Sequence, residues 1–135
     1  KSDFNKEDLD LLDNYKDNLD KLRGFIDKQD LNSYINFIVG GFFAANKYFN
    51  DQEPWKKKSD LGRLNTIVYV SLEVIRKISI MLYPIIPESS LKVLGVLGLN
   101  ESDLKFESIK YHEKLKIKNK IKKINILFKK IENND

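Results

Sequence analysis

Apolar residues recur at steps of three and four along most of the chain, a spacing that places them on one face of a helix. The first series is Leu9, Leu12, Tyr15, Leu19, Leu22 and Ile26. It predicts one helix, with Asn5 as the residue whose side chain caps the free N–H groups of the first turn. Four acidic residues fall mainly on the opposite face and are predicted to face solvent: Asp10, Asp13, Asp17 and Asp20.

A second apolar series follows a polar break at residues 28–30 and consists of Leu31, Ile35, Ile38, Phe42, Ala45 and Phe49. An adjoining face carries Tyr34, Phe37, Ala44 and Tyr48. This second helix is therefore apolar round much of its circumference and is predicted to be central, in a hairpin with the first. Because each glycine in a helix costs about 1 kcal/mol relative to alanine, Gly40 and Gly41 predict a close crossing by another helix.

A third apolar series predicts a helix of about 22 residues, capped by Ser59 or Asp60. Its members are Leu61, Leu64, Val68, Leu72, Ile75, Ile78 and Leu82. Pro84 and Pro87 then force a turn, because proline lacks the backbone donor that a helix needs. A short leucine-rich helix is predicted to follow and to end near Gly98. The chain is therefore predicted to be all-α, an antiparallel helical bundle.

Composition limits the class of protein further. With 135 residues and 41% hydrophobic content, the chain has apolar surface for one core, so one domain is expected. The absence of cysteine excludes disulfides, thiol catalysis and zinc ribbons and favours a reducing cytoplasm. No apolar run approaches the roughly 20 residues that span a bilayer, so we expect a soluble, cytoplasmic protein that does not enter the membrane.

Charge is unevenly distributed along the chain. Residues 1–104 carry 14 basic and 16 acidic side chains, whereas residues 105–135 carry 10 and 4. We therefore predict a helical bundle over 1–104 and a basic tail over 105–135 that belongs to the same domain. The tail pattern fits a strand through Leu115, Ile117 and Ile121, and it fits a helix through Ile117, Ile121, Ile124, Phe128 and Ile131 equally well.

No catalytic motif is present: there is no phosphate-binding glycine loop or nucleophile motif, and the single histidine, His112, has no identifiable partner. The most informative segment is the loop in which the only tryptophan, Trp55, follows Pro54 where the second helix breaks. Three lysines come directly after it, Lys56, Lys57 and Lys58. Aromatic rings stack on unpaired bases while lysines hold phosphates, so this loop is suited to single-stranded RNA. The alternative is that Trp55 only pins the loop to the bundle.

The order and spacing of several motifs resemble the anticodon-binding domain of bacterial methionyl-tRNA synthetases. The motifs are Asn46-Lys47-Tyr48 followed by Pro54-Trp55, the helix end Leu82-Tyr83-Pro84-Ile85-Ile86-Pro87, the closing element 91–98, and Leu127-Phe128-Lys129-Lys130-Ile131-Glu132. Lys129 and Lys130 stand where the family usually has Pro-Arg. Another class I synthetase domain and a helical protein-interaction module with a basic tail are the alternatives.

The resemblance implies roles for the loop residues. Trp55 would stack on an anticodon base, Pro54 would fix the backbone that presents it, and the three lysines would hold phosphates of the anticodon stem. Asn46 would either bond RNA or cap the end of the helix, and the capping role is the expected one. No residue is expected to be catalytic or to bind a metal ion.

The resemblance also implies what lies outside the chain. The family's anticodon-reading surface includes a helix that would precede Lys1, and ATP and methionine, with zinc as a further candidate, bind a catalytic domain that is absent here. We therefore expect a fragment of methionine–tRNA ligase that holds no cofactor and is inactive alone. Its expected partners are the tRNA(Met) anticodon stem-loop and the catalytic domain of the same polypeptide.

Overall fold

A computed structural model describes residues 1–115. Its helices are α1 (Lys6–Asp17), α2 (Leu19–Asp27), α3 (Leu31–Gln52), α4 (Leu61–Leu82) and α5 (Pro87–Val96). Short 3-10 turns lie at Pro54–Lys56, Glu101–Asp103 and Phe106–Lys110. Residues 1–115 contain no strand. The prediction of an all-α bundle is confirmed.

The helix starts and stops follow local sequence signals. The Asn5 side chain accepts from the Asp8 N–H at 3.0 Å while the Asp8 carboxylate accepts from the Asn5 N–H at 3.0 Å, a reciprocal cap. Asp60 caps α4 by accepting from the Arg63 N–H at 3.1 Å. Gly98, just after α5, has a φ of 78°, the left-handed conformation that glycine adopts readily at a helix end. These three predicted boundaries are confirmed.

The prediction of one continuous first helix is wrong, because the chain breaks at Asn18. The Asn18 side chain donates to the Asn14 carbonyl at 2.7 Å, the acceptor that an unbroken helix would offer to the Asn18 N–H. That N–H bonds to the Lys16 carbonyl instead. Leu12 and Tyr15 before the break and Leu19 and Leu22 after it are all buried, so apolar spacing alone could not show the break, and only the outer members, Leu9 and Ile26, are exposed.

Helix α3 confirms its predicted apolar faces only in part: beside the buried residues, Phe37, Ala44, Ala45 and Phe49 pack against the core. Its buried residues are Tyr34, Ile38, Gly41 and Tyr48. Leu31 and Phe42 of the predicted series are exposed. Phe43 is 71% exposed, so α3 is not the central helix that its composition suggested.

The central helix is α4, which contacts α1, α3, α5, the turn at 54–56 and the turn at 106–110. Its core-facing residues are Ile67, Val70, Val74, Ile78, Ile80 and Met81. Of the series predicted for this helix, Leu72 and Ile78 are buried, whereas Leu61 and Ile75 are exposed. Because neighbours cover α4 on several sides, no single helical stripe describes its buried surface.

The predicted close crossing occurs at Gly41 and not at Gly40. A Cβ atom added to Gly41 would lie 2.7 Å from the hydroxyl oxygen of Tyr15, a side chain that is completely buried. A Cβ atom added to Gly40 would meet nothing within 4 Å. Gly41 therefore allows α1 to pack against α3, and Gly40 has no such role.

Alanine substitutions at these adjacent glycines should have opposite effects. Gly41→Ala should lower the free energy of unfolding by about 1–3 kcal/mol, because Tyr15 has to move within a packed core. Gly40→Ala should raise it by about 0.5–1 kcal/mol, because alanine is favoured over glycine inside a helix. Urea denaturation followed by circular dichroism measures both. Equal effects of the two variants would contradict the crossing at Gly41.

The part of the tail that the structure describes, residues 105–115, packs back onto the bundle, with Ile109 and Leu115 buried. Three completely or almost completely buried charged residues of α4 hold it there: Glu73, Arg76 and Lys77. Arg76 donates to the Ser108 carbonyl at 3.1 Å and to the Tyr111 carbonyl at 2.7 Å, and Glu73 accepts from the Leu115 N–H at 3.1 Å. The predicted strand or helix beyond Leu115, and the motif at 127–132, lie outside the described residues.

Burial has a large effect on the lysine of this group. Burial, together with the positive charge of Arg76 nearby, lowers the pKa of Lys77 to about 7. Lys77 donates to the carbonyl oxygens of Ile109 and Tyr111.

His112 does have a partner, contrary to expectation, since its Nε2 lies 2.8 Å from Asp13 Oδ1 on α1. Asp10, Asp17 and Asp20 are exposed as predicted, and Asp13 is half-buried.

Candidate nucleic-acid interface

The loop between α3 and α4 has a defined backbone conformation. Helix α3 stops because Glu53 takes up a left-handed conformation, with φ 47° and ψ 59°. Pro54 then begins a 3-10 turn, a position at which its missing N–H is not needed. The Lys56 N–H donates to the Glu53 carbonyl at 2.9 Å and the Lys57 N–H to the Pro54 carbonyl at 3.0 Å. The loop is therefore a hydrogen-bonded turn that gives the backbone at Trp55 a defined position.

Trp55 stands at the surface of this turn with 51% of its side chain area exposed. Its ring centroid lies 6.3 Å from that of Phe49, with the two planes tilted by 57°. Pro54, directly before it, is buried. A tryptophan whose only role was to pin the loop would be expected to bury most of its ring, so the exposure favours a binding role over that alternative.

The three lysines follow Trp55 directly in the chain and differ in their exposure. Lys56 forms an ion pair with Glu53 at 3.2 Å, and both side chains are well exposed, so the pair is weak and easily exchanged for a phosphate. Lys57 is half-buried and Lys58 is exposed. Within residues 1–115 neither of these two lysines forms an ion pair. The loop therefore offers positive charge directly beside the indole ring.

Asn46 does not have the structural role that the sequence favoured. Helix α3 continues for six residues beyond it and ends at Gln52, so Asn46 lies inside the helix and does not cap its end. Its side chain is exposed and has no hydrogen-bond partner among the described residues. The capping role is therefore wrong, and the RNA contact stays a prediction.

Sequence reasoning missed a polar network at the two ends of the loop. Arg63 Nη1 and Nη2 donate to the two carboxylate oxygens of Asp8 at 2.7 and 2.9 Å, and Nη2 also donates to Gln52 Oε1 at 2.6 Å. The Tyr48 hydroxyl donates to Asp8 Oδ1 at 2.5 Å. The sequence did contain a sign of this network. Asp8 precedes Leu12 by four residues and Tyr15 by seven, so a charged residue falls on the apolar face of α1.

The network changes the ionisation of its members. Burial by itself raises the pKa of Asp8, but the hydrogen bonds from Arg63, Tyr48 and the Asn5 N–H together outweigh it, and the pKa lies below its usual value. Burial, with the hydrogen bond to Asp8, raises the pKa of the Tyr48 hydroxyl. At neutral pH the Asp8–Arg63 pair is therefore ionised and Tyr48 remains a donor.

Two further properties of the described part of the chain bear on its class. Residues 1–115 bring together no group of three or more His, Cys, Asp or Glu side chains that could hold a metal ion. None of the helices in this range combines the length and the apolar character needed to cross a membrane.

The helical bundle also occurs in solved structures. The apo form of Mycobacterium tuberculosis methionyl-tRNA synthetase superimposes with a TM-score of 0.75 at 31% sequence identity, over 80% of this chain and 23% of that chain. The same enzyme in complex with methionyl-adenylate gives a TM-score of 0.75 over 80% of this chain and 22% of that one. The fold is thus that of a helical domain found within an aminoacyl-tRNA synthetase.

Sequence comparison identifies the family. The chain belongs to the family described as the anticodon binding domain of methionyl tRNA ligase, whose model matches residues 2–135. This agrees with the methionyl-tRNA synthetase resemblance rather than with the other class I synthetases or an unrelated interaction module.

Individual relatives show how much of a ligase the chain represents. The methionine–tRNA ligase of Brucella suis is 35% identical over 107 residues, which are 78% of this chain and 21% of the relative. That of Mycobacterium leprae is 33% identical over 113 residues, 80% of this chain and 21% of the relative. The probable mitochondrial methionine–tRNA ligase of Dictyostelium discoideum is 35% identical over 140 residues, 94% of this chain and 24% of the relative. The chain therefore spans between a fifth and a quarter of the length of these three relatives.

Proposed function

We propose that this chain binds the anticodon stem-loop of tRNA(Met) and that Trp55 stacks on the first base of the CAU anticodon. The observation that carries the proposal is the half-exposed Trp55 ring, presented on a hydrogen-bonded turn of an anticodon-binding domain. An aromatic surface of this kind binds any unpaired base, because every base has a π face. Selection of the particular base then requires polar groups beside it.

The surrounding residues have supporting roles in this proposal. Pro54 restricts the backbone that presents the indole ring. Lys56, Lys57 and Lys58 neutralise phosphates of the anticodon stem, and breaking the exposed Lys56–Glu53 pair costs little. Asn46 offers an amide to the RNA from the exposed surface of α3.

We further propose that the chain acts as one part of a methionine–tRNA ligase, in the cytoplasm. ATP and methionine would bind a catalytic domain on the same polypeptide, and zinc, where present, would bind there too. The similarity to longer ligases supports this arrangement, since the matching residues make up 21% of the Brucella suis enzyme.

Acrylamide quenching of Trp55 tests the stacking proposal, because Trp55 is the only tryptophan in the chain. A CAU stem-loop should protect Trp55 from the quencher. The control is the same stem-loop with an abasic first anticodon position, which should still bind through its phosphates but leave Trp55 accessible. Protection that is identical with both RNAs would overturn the stacking assignment.

The salt dependence of stem-loop binding tests the role of the lysines. If three lysines neutralise three phosphates, the logarithm of the binding constant should fall with the logarithm of salt concentration with a slope of about −2 to −3. Binding should be weak at physiological salt, because a single stacked base and a few phosphate contacts carry it. A salt-independent affinity would contradict the phosphate contacts.

A further inference from the structure

Four polar side chains from three helices converge at the base of the Trp55 loop. Asp8 comes from α1, Tyr48 and Gln52 come from α3, and Arg63 comes from α4. The Asp8 side chain is completely buried, and that of Arg63 is 15% exposed. Because both guanidinium nitrogens of Arg63 bond the carboxylate of Asp8, the pair has one defined orientation as well as a favourable energy.

The chain topology gives this group a specific relation to the loop. Gln52 is the last residue of α3 and Arg63 is the third residue of α4, so their 2.6 Å hydrogen bond joins the two ends of the loop that carries Trp55. The backbone hydrogen bonds inside the loop run from Lys56 to Glu53, from Lys57 to Pro54 and from Asp60 to Lys57. Those bonds shape the turn, but they do not attach it to the bundle.

Stability alone is a weak reason for such a group, since a buried ion pair is often no better than apolar residues of similar volume. Its distinctive property is geometry: Asp8 accepts from Tyr48, Arg63 and the Asn5 N–H at once, which fixes α1, α3 and α4 relative to one another. We propose that Asp8, Tyr48, Gln52 and Arg63 are positioning residues, which hold the ends of the loop so that Trp55 meets the anticodon base. The RNA-binding part of this inference rests on the proposed function.

The first test compares two tyrosines of α3. Tyr34 and Tyr48 are both buried, and each hydroxyl donates one hydrogen bond of 2.5 Å, Tyr34 to the Met81 carbonyl and Tyr48 to Asp8. Tyr34→Phe and Tyr48→Phe should both lower the urea midpoint, and Tyr48→Phe should lower it more, because its acceptor is the ionised carboxylate of Asp8. Only Tyr48→Phe should increase the quenching of Trp55 by acrylamide in the free protein. Equal quenching in the two variants would overturn the inference.

The second test acts at the loop itself. Gln52→Met keeps the length of the side chain but removes the acceptor for Arg63, so it should raise Trp55 quenching and weaken binding of the CAU stem-loop by about three- to tenfold. Gln52→Glu restores an acceptor and should return the quenching of free Trp55 to the wild-type value. Wild-type quenching in Gln52→Met, or a failure of Gln52→Glu to restore it, would contradict the positioning role.

The two proposals fail in different ways. If Trp55→Ala binds the stem-loop as well as the wild-type chain, the stacking proposal is wrong, whatever the quenching experiments show. If Trp55→Ala loses binding but Tyr48→Phe and Gln52→Met leave Trp55 quenching and affinity unchanged, the stacking proposal stands and the positioning inference is wrong.

Discussion

In a full-length methionine–tRNA ligase that carries this chain, replacing Trp55 with alanine will slow tRNA charging by about 10- to 100-fold, because a stacked base contributes about 1–3 kcal/mol. Methionine activation, measured by ATP–pyrophosphate exchange, should stay within about twofold of wild type, since that reaction precedes any contact with tRNA. The loss should appear at limiting tRNA, where the affinity of the domain for the anticodon determines the rate. Charging by the variant within about twofold of wild type would refute the stacking assignment.

Tyr111→Ala is the matched control for this experiment. Tyr111 is 51% exposed, as is Trp55, but it lies beside Lys110 and Lys114 directly after the turn at 106–110. Removing it should therefore leave charging unchanged. Trp55→Phe keeps a smaller π face and should fall between wild type and Trp55→Ala. If charging falls as the ring at position 55 becomes smaller, while Tyr111→Ala has no effect, the loss of charging is due to stacking and not to reduced surface area.

The parts of the fold that could be predicted from the sequence depend on neighbouring residues. The cap at Asn5, the cap at Asp60 and the left-handed Gly98 are each determined within one turn of helix. The loop between α3 and α4 belongs to the same group, because Pro54 cannot continue a helix. These boundaries placed Trp55 in a turn between two helices, whereas its exposure is known only from the structure.

The orientation of the helices could not be predicted in the same way. Helix α3 is apolar on more than one face, and periodicity could not decide between the face with Phe42, which is exposed, and the face with Tyr34 and Tyr48, which the core takes. The choice depends on which neighbour a face meets: Gly41 is in the core because Tyr15 of α1 approaches it closely. Contacts between residues far apart in the chain determine which face is buried, and a single sequence does not show these contacts.

The polar networks illustrate the same limit. The partners of Asp8 lie 40 and 55 residues away, at Tyr48 and Arg63, and the partner of His112 lies 99 residues away, at Asp13. Sequence reasoning named the residues that we propose to touch RNA but missed those that we propose to hold the loop in place. A charged residue within an apolar stripe, as at Asp8 in α1 and at Lys77 in α4, was the available sign that a buried partner exists.

The buried pair of Glu73 and Arg76 leads to the largest stability effect that we expect. Arg76 Nε donates to Glu73 Oε2 at 2.6 Å, and both side chains are at most 1% exposed. Arg76→Met removes the cation and leaves the Glu73 carboxylate and the carbonyl of Tyr111 without this donor. We expect the free energy of unfolding to fall by about 3–5 kcal/mol, because an uncompensated charge remains inside the protein. Urea denaturation measures the loss.

Arg23 provides the control, because it also contacts the segment after α5, through Glu107, but its side chain is 40% exposed. Arg23→Met should cost less than about 1 kcal/mol, as exposed ion pairs usually do. Adding Glu73→Gln to Arg76→Met removes the uncompensated charge and should restore part of the loss, and Arg76→Lys, which keeps the charge but not the planar fork, should fall between. Two results would contradict this role of the buried pair: an Arg76→Met cost no larger than that of Arg23→Met, or no recovery on adding Glu73→Gln. The packing of residues 105–115 onto α4 would then have to depend on the apolar contacts of Ile109 and Leu115.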